Sequence, residues 1–516
     1  MRNDPHEYDY VIVGAGAAGS VVAGELSKTG AEVLLIESGG EDSAPTISNP
    51  SVWFYNVGGD LDWKLPIAPV PQLNNRQFNM ALGRVLGGGS SINAMVWSRG
   101  MDRDYDDWAR HGATGWGFKD VLPMFKAQED WEGGANEWRG AGGPIHIRKP
   151  GKPHPTAPAF LEAAKQMGFA ILDDVNGPLR PGAGYINMNI AADGTRVSAA
   201  RAFLRPNLGR QNLTLLLNAN ATKVIFEGDR AVGVELAGAD GVRTVRATRE
   251  VILTAGTIHT AKLLMLSGVG DSEELRKLGI PTVANLSGVG QNLQDHVLVS
   301  GVVYKYKGKM PDRPADSDAV EAEVFLPSGL SSHPVDLCLV LEQLPIATPE
   351  AAARFGAPPS EGFTIAPALV QPTSRGRVRL ASADWRHAPI IEGNHLGTEN
   401  DLSAIVRAIE AARELGRQKA LDGVRDIEVL PGPKATSKQD VVDLARTASA
   451  SFGHPVGTAR MGTDAGAVVD PALRVRHVRG LRVADASVMP TIPAGATNAP
   501  TIMIGGRAAM LIKGTQ

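Results

Sequence analysis

Cysteine is almost absent: Cys338 is the only one in 516 residues. One cysteine rules out an intrachain disulfide and a CxxC redox pair. It also argues against a thiolate-held cluster, so no metal is expected and a reducing, cytoplasmic setting is the simplest account. Long apolar runs are missing too, and none reaches the roughly 20 residues that cross a bilayer. The first ten residues, MRNDPHEYDY, are polar and acidic and lack the apolar centre of a signal peptide. Basic charge is not in excess: 52 Lys and Arg against 55 Asp and Glu leave a net charge of −3. Such a balance provides no positive field to draw in nucleic acid or an anionic membrane.

What is present is a large core. Hydrophobic residues make up 43% and charged residues 21%, in a chain longer than one typical domain. The 59 glycines and 34 prolines alternate with apolar segments, which indicates loops and tight turns rather than disorder.

The chain is organised around residues 9–19, DYVIVGAGAAG. An apolar strand at 10–13 leads into Gly14, Gly16 and Gly19, and a helix is expected over 20–27. Gly14 allows a sharp turn, Gly16 a close approach of backbone to a pyrophosphate, and Gly19 a close crossing of helix and strand. The helix start, with Ala17 and Ala18, offers unpaired N–H groups to phosphate. A second strand at 31–36 ends at Glu37, 23 positions after Gly14, where an acid accepts a hydrogen bond from an adenosine ribose. Strand, helix, strand and terminal acid together specify a dinucleotide site. They do not say which dinucleotide.

A second glycine-rich stretch, GRVLGGGSSINAMVWSRG at 83–100, exposes backbone N–H groups and hydroxyls that suit either a tight structural turn or a loop around a phosphate or planar ring. Residues 213–253 read as strands with a hairpin turn at Gly228-Asp229. Residues 399–419 place Leu402, Ile405, Val406, Ile409, Ala412 and Leu415 at helical spacing and read as an amphipathic helix.

Four stretches in this order resemble the signatures of the glucose–methanol–choline (GMC) oxidoreductases. They are residues 83–93, residues 256–270 (GTIHTAKLLMLSGVG), residues 454–462 (HPVGTARMG), and residues 480–490 with 498–505 (GLRVADASVMP and NAPTIMIG). The second departs from the family at Ala261, where Ser or Pro is more usual. The resemblance spans nearly the whole chain and implies FAD as cofactor. It implies an α/β fold with a Rossmann-like FAD domain from 1–152, 195–298 and 447–516. A substrate domain, a β-sheet flanked by helices, would come from 153–194 and 299–446. FAD contacts implied for the first segments are Gly14, Gly16, Ala17, Ala18, Gly19, Glu37, Ser38 and Trp63. The glycine-rich signature adds Arg84, Gly87, Gly88, Gly89, Ser90, Asn93, Ala94, Met95 and Val96. Val224 falls where backbone binds adenine, and Ala255 and Gly256 fall near the pyrophosphate. Asp485, Ala486, Asn498, Ala499 and Pro500 complete the set.

Oxidising an alcohol with a flavin needs a base for the hydroxyl proton, a task suited to histidine. The resemblance makes His454 that base and Asn498 the group that positions the substrate oxygen. An N-cap of the following helix is a further role open to Asn498. The SSINAM segment has no histidine for a covalent flavin link, so FAD is expected to be non-covalent. Gly453 stands where choline-oxidising members carry a tyrosine, which removes one wall of an aromatic cage for ammonium. The expected reaction is oxidation of a primary, polyol, sugar or aryl alcohol, with dioxygen or a quinone-type acceptor. A hydroxynitrile-lyase-type reaction on the same fold is the alternative.

Overall fold

The computed structural model describes residues 7–178, 181–238 and 241–514. Its first unit is strand β1 (Glu7–Val13), helix α1 (Ala17–Ser27) and strand β2 (Val33–Ile36). The helix starts three residues earlier than its sequence signal and the first strand extends three residues further toward the N-terminus. Val11, Ile12 and all four residues of β2 are buried, as expected for strands covered on both faces of a parallel sheet. Gly14 makes the exit from β1 at φ +103°, and a Cβ there would lie 2.5 Å from the Thr254 carbonyl oxygen.

That sheet runs in the order Leu213–Leu216, β2, β1, Gly241–Leu253, Arg230–Gly238, Asn220–Glu227. Leu481–Val483 also pairs in parallel with Gly241–Leu253, at Val251–Leu253. The other half of Gly241–Leu253 pairs antiparallel with Arg230–Gly238. The two-residue Gly228-Asp229 turn then joins Asn220–Glu227 to Arg230–Gly238. The C-terminal helix Asn498–Lys513 lies along α1, close enough that a Cβ on Gly505 would come 2.8 Å from the Ala18 carbonyl oxygen.

A second sheet is antiparallel, in the order Arg425–Leu430, Val303–Tyr306, Gly362–Leu369, Leu337–Glu342, Val320–Leu326, Gly182–Tyr185. Val297–Val299 ties Gly362–Leu369 to Ser449–Ser451. The amphipathic segment forms helix Glu399–Gly416, capped by the Thr398 side chain, and packs its apolar face on this sheet. By pairing, Val297–Val299 and Ser449–Ser451 belong to this second sheet, so the limits expected at 298 and 447 fall at its strands. The parallel strands end at Gly14, Thr254 and Ala484, on the edge where open α/β sheets bind ligands. Ser449–Ser451 delivers the chain to His454 from the other side. Among the described residues, no helix is long and apolar enough to cross a membrane.

Candidate active site

One cavity of about 930 Å³ runs between the two sheets, near the top of the range of roughly 300–1,000 Å³ seen for ligand sites. Its first end is lined by Gly14, Gly16, Ala17, Ala18, Glu37 and Ser38, together with Ala255, Gly256, Asp485 and Ala486. Glu37 is 7% exposed. One of its oxygens accepts from Ala15 N–H at 2.9 Å and the other from Gly39 N–H at 2.8 Å. Burial pushes its carboxyl up, against the pull of those two donors. The same carboxyl therefore fixes the β1–α1 turn and closes the cavity.

The second glycine stretch serves both as turn and as lining. Ser90 Oγ donates to the Gly87 carbonyl at 2.6 Å and accepts from Ala199 N–H at 3.0 Å. Asn93 Oδ1 accepts from Met95 N–H and from Arg196. Gly88 crosses Gly16 so tightly that a Cβ on it would lie 2.8 Å from the Gly16 Cα. Arg84, Gly88, Gly89, Ser90, Asn93, Ala94 and Val96 line the cavity. Trp63 lines it as well, with the Arg84 guanidinium over its ring and the His259 ring 4.3 Å away.

Asp485 gathers three elements. It accepts from Gly256 N–H at 2.9 Å and Thr260 Oγ at 2.6 Å with one oxygen, and from Ser487 N–H and Oγ with the other. Six expected residues stand behind the wall. Gly19 packs against β1, where a Cβ would meet the Gly14 carbonyl at 1.9 Å. Gly87, Met95, Ala499 and Pro500 do not line the cavity. Val224 does not line the cavity, and its N–H donates to Ser267 Oγ at 2.8 Å. Ala219, Asn220 and Ala221, at the start of the same strand segment, line the cavity.

The far end holds His454, whose neighbours sequence spacing did not reveal. His454 Nδ1 lies 3.0 Å from His296 Nδ1, with the rings perpendicular. Two facing nitrogens at that distance share one proton, so one ring donates and the other accepts. His296 is fully buried, and the Pro493 and Val370 backbone carbonyls act on it. The His454 backbone N–H donates to Asp295 Oδ1 at 2.9 Å. Asp295 Oδ2 also accepts from Ser451 Oγ and approaches His395 Nε2 at 3.3 Å. This fixes the loop that carries His454. Burial lowers His454 to about 4, against the opposing pull of Asp295. The imidazole is therefore neutral at physiological pH and able to accept a proton.

Asn498 also lines the cavity. It is the first residue of helix Asn498–Lys513, and the N-cap position falls on Thr497, which makes no side-chain cap hydrogen bond. The Asn498 Nδ2 group is buried with no hydrogen-bond partner among the described residues. A buried amide left open toward a cavity is a donor waiting for an acceptor. His296 and Asp295 sit in the plain segment QNLQDHV at 291–297, and His296 is 158 positions from His454. Nothing in that spacing marks them as partners.

Residues 8–298 and 372–505 match the family description GMC oxidoreductase. The chain belongs to the GMC oxidoreductase family. It is an FAD-dependent oxidoreductase acting on CH–OH donors. Similar proteins include the oxygen-dependent choline dehydrogenase of Brucella ovis, 38% identical over 529 residues, covering 98% of this chain and 96% of that protein. The choline dehydrogenase of Sinorhizobium medicae is also 38% identical, over 98% of this chain and 96% of that one. Among solved structures, pyridoxine 4-oxidase from Mesorbium loti superimposes with a TM-score of 0.92 at 32% identity, covering 97% of this chain and 98% of that one. A formate oxidase variant from Aspergillus oryzae, whose study concerns FAD modification, gives 0.90 at 26% identity over 100% and 99% of the two chains. The cavity fits FAD. A glycine cradle and helix start lie at one end, a glycine-rich loop with Trp63 lines it further along, and an unpaired amide with a neutral histidine lies at the other.

Proposed function

We propose that this protein oxidises a small primary, polyol or aryl alcohol to the aldehyde or ketone, with His454 as base. FAD, when bound, supplies the hydride acceptor at its N5. His454 takes the hydroxyl proton at Nε2. For that nitrogen to be bare, the proton of the neutral ring must sit on Nδ1 and be donated to His296 Nδ1. His296 then carries its own proton on Nε2, a buried atom with no hydrogen-bond partner among the described residues. Asn498 donates its amide to the substrate oxygen as negative charge grows there. The observation that carries this reading is the His454–His296 pair at 3.0 Å in one cavity with the unpaired Asn498 amide.

The phosphate end follows the same reading. We assign the pyrophosphate to the α1 start and the Gly88 turn, the ribose to Glu37, and adenine to the Ala219–Ala221 backbone in place of Val224. FAD is non-covalent, since 90–95 offers no histidine, and acid precipitation should release all the yellow colour into the supernatant. The two-part division is retained, with Val297–Val299 and Ser449–Ser451 assigned to the substrate part. A cytoplasmic setting goes with the single buried thiol.

The test is anaerobic mixing with a panel of alcohols while following the flavin band. Bleaching by an alcohol supports the reading, and the rate of recovery in air separates a dioxygen acceptor from a quinone-type one. A flavin that dithionite reduces and no alcohol bleaches would contradict it and favour lyase chemistry.

A further inference from the structure

Asn93 lines the cavity, and its side chain is held from behind by a buried cation. Arg196 is 2% exposed. Its Nε donates to the Ile47 carbonyl at 2.7 Å. Its Nη1 donates to the Ser90 carbonyl at 3.2 Å and to Asn93 Oδ1 at 2.7 Å. The Arg196 backbone N–H donates to the Ser48 carbonyl at 3.0 Å. One residue thus joins the 47–48 segment to the glycine-rich loop. The Met95 N–H also donates to Asn93 Oδ1, at 3.0 Å. Both partners of that atom can only donate, so it must be the amide oxygen. The Nδ2 group is left for whatever occupies the cavity.

Arg196 also carries a charge that no ion pair cancels. Its Nη2 is buried with no hydrogen-bond partner among the described residues. The one carboxyl that acts on it, Asp318, shares no hydrogen bond with it. Asp318 Oδ1 accepts from Val320 N–H at 2.9 Å, and Oδ2 is buried without a partner among the described residues. Burial pushes the Asp318 carboxyl well above the usual carboxylate range, which favours its neutral form. Burial lowers Arg196 only to about 9, so it stays cationic at neutral pH. A charge in such a low-dielectric wall is felt across several ångströms. A buried cation without a counter-ion costs stability, and an anion arriving in the cavity offsets that cost.

Bound FAD becomes such an anion. Its oxidised ring takes up a hydride, which is two electrons and one proton, and without a further proton the reduced ring is negatively charged. We propose that Arg196 raises the midpoint potential of the bound flavin, through its own charge and by turning Asn93 Nδ2 toward the ring. Charge placed near the flavin is one of the means by which a protein tunes it. The proposal rests on the placement of FAD given above, which runs the ring along 93–96 between Gly88 and His454. It does not rest on the identity of the substrate.

The test is the midpoint potential of the FAD-loaded protein, reduced slowly by dithionite against a reference dye with no alcohol present. Arg196→Gln removes the charge and keeps a donor for Asn93. At a fixed potential its ratio of reduced to oxidised flavin should fall at least about tenfold, a drop of about 30 mV for a two-electron couple. Arg196→Lys keeps the charge and should recover most of that drop. Asp318→Asn should leave the potential unchanged, because a neutral carboxyl cancels nothing. An unchanged potential in Arg196→Gln, or equal falls in the Gln and Lys variants, would overturn the proposal. So would a tenfold rise in Asp318→Asn, which would reveal an ionised carboxylate neutralising Arg196. If the Arg196 variants lose their flavin, Asp318→Asn decides alone, an unchanged value upholding the proposal. Because no alcohol is used, a wild-type flavin that alcohols fail to bleach overturns the oxidising role and leaves this result standing.

Discussion

His296 decides which nitrogen of His454 is free. His296→Leu removes the acceptor for the His454 Nδ1 proton, and the ring can then carry its proton on Nε2, the wrong place for a base. Flavin reduction should slow roughly 10-fold or more, while His296→Gln, whose amide oxygen still accepts, should recover part of the rate. Equal rates in the two variants would show that His296 only fills space. Asn498→Ala should slow reduction by roughly 10²-fold, within the range for loss of one donor to a developing oxyanion, and an unchanged rate would leave Asn498 as packing only. The His454 pKa of about 4 has a clear sign. The base is neutral above that value, so the acid limb of the reduction rate should lie well below the usual histidine range near 6.5. An acid limb at or above that range would contradict the burial argument. At this scale the sequence was partly legible. His454 and Asn498 stand inside motifs whose residue types match their chemistry. His296 and Asp295 do not, because their partnership is created by the pairing of Val297–Val299 with Ser449–Ser451.

The β1–α1–β2 unit is the element whose form the sequence states most fully, since each glycine answers a separate steric demand. Gly19→Ala would put a methyl 1.9 Å from the Gly14 carbonyl oxygen, so α1 must back away and the phosphate cradle opens. The variant should fold, with an unchanged circular dichroism spectrum, and bind FAD at least about tenfold more weakly. Full FAD occupancy would show that the crossing is not what shapes the site. The cavity wall at Ala219–Ala221 was less legible. Alternation along Asn220–Glu227 is broken by a register shift opposite Glu235 and Leu236, and a one-residue slip exchanges the two faces of a strand. The Val224 N–H is taken by Ser267 Oγ, while Ala221 lines the cavity. The second sheet was legible as apolar strands between loops, but not its order, which depends on pairings between residues far apart in the chain.

At the scale of the whole molecule, a binding cavity is a cost to the fold, and Glu342, which lines it, makes that cost measurable. Its carboxyl is raised to about 7 from an ordinary 4.5. A raised carboxyl contributes stability that is fully present below its unfolded value and lost as pH rises through the folded one. Glu342→Gln is neutral throughout, so the substrate-free variant should match wild type near pH 4.5 and exceed it above pH 7. The difference is at most about 3 kcal/mol, to be read as melting temperature across that window. A gap that does not change with pH would mean Glu342 is already ion-paired.

The central claim is that one cavity joins FAD to a substrate alcohol through His454. The direct measurement is the anaerobic rate of flavin reduction by the best alcohol, in wild type and in His454→Ala side by side, with bound flavin quantified in both. The account predicts two equally yellow proteins whose reduction rates differ by roughly 10²–10⁴-fold. Equal rates per bound flavin, with His454→Ala differing only in how much FAD it holds, would contradict it.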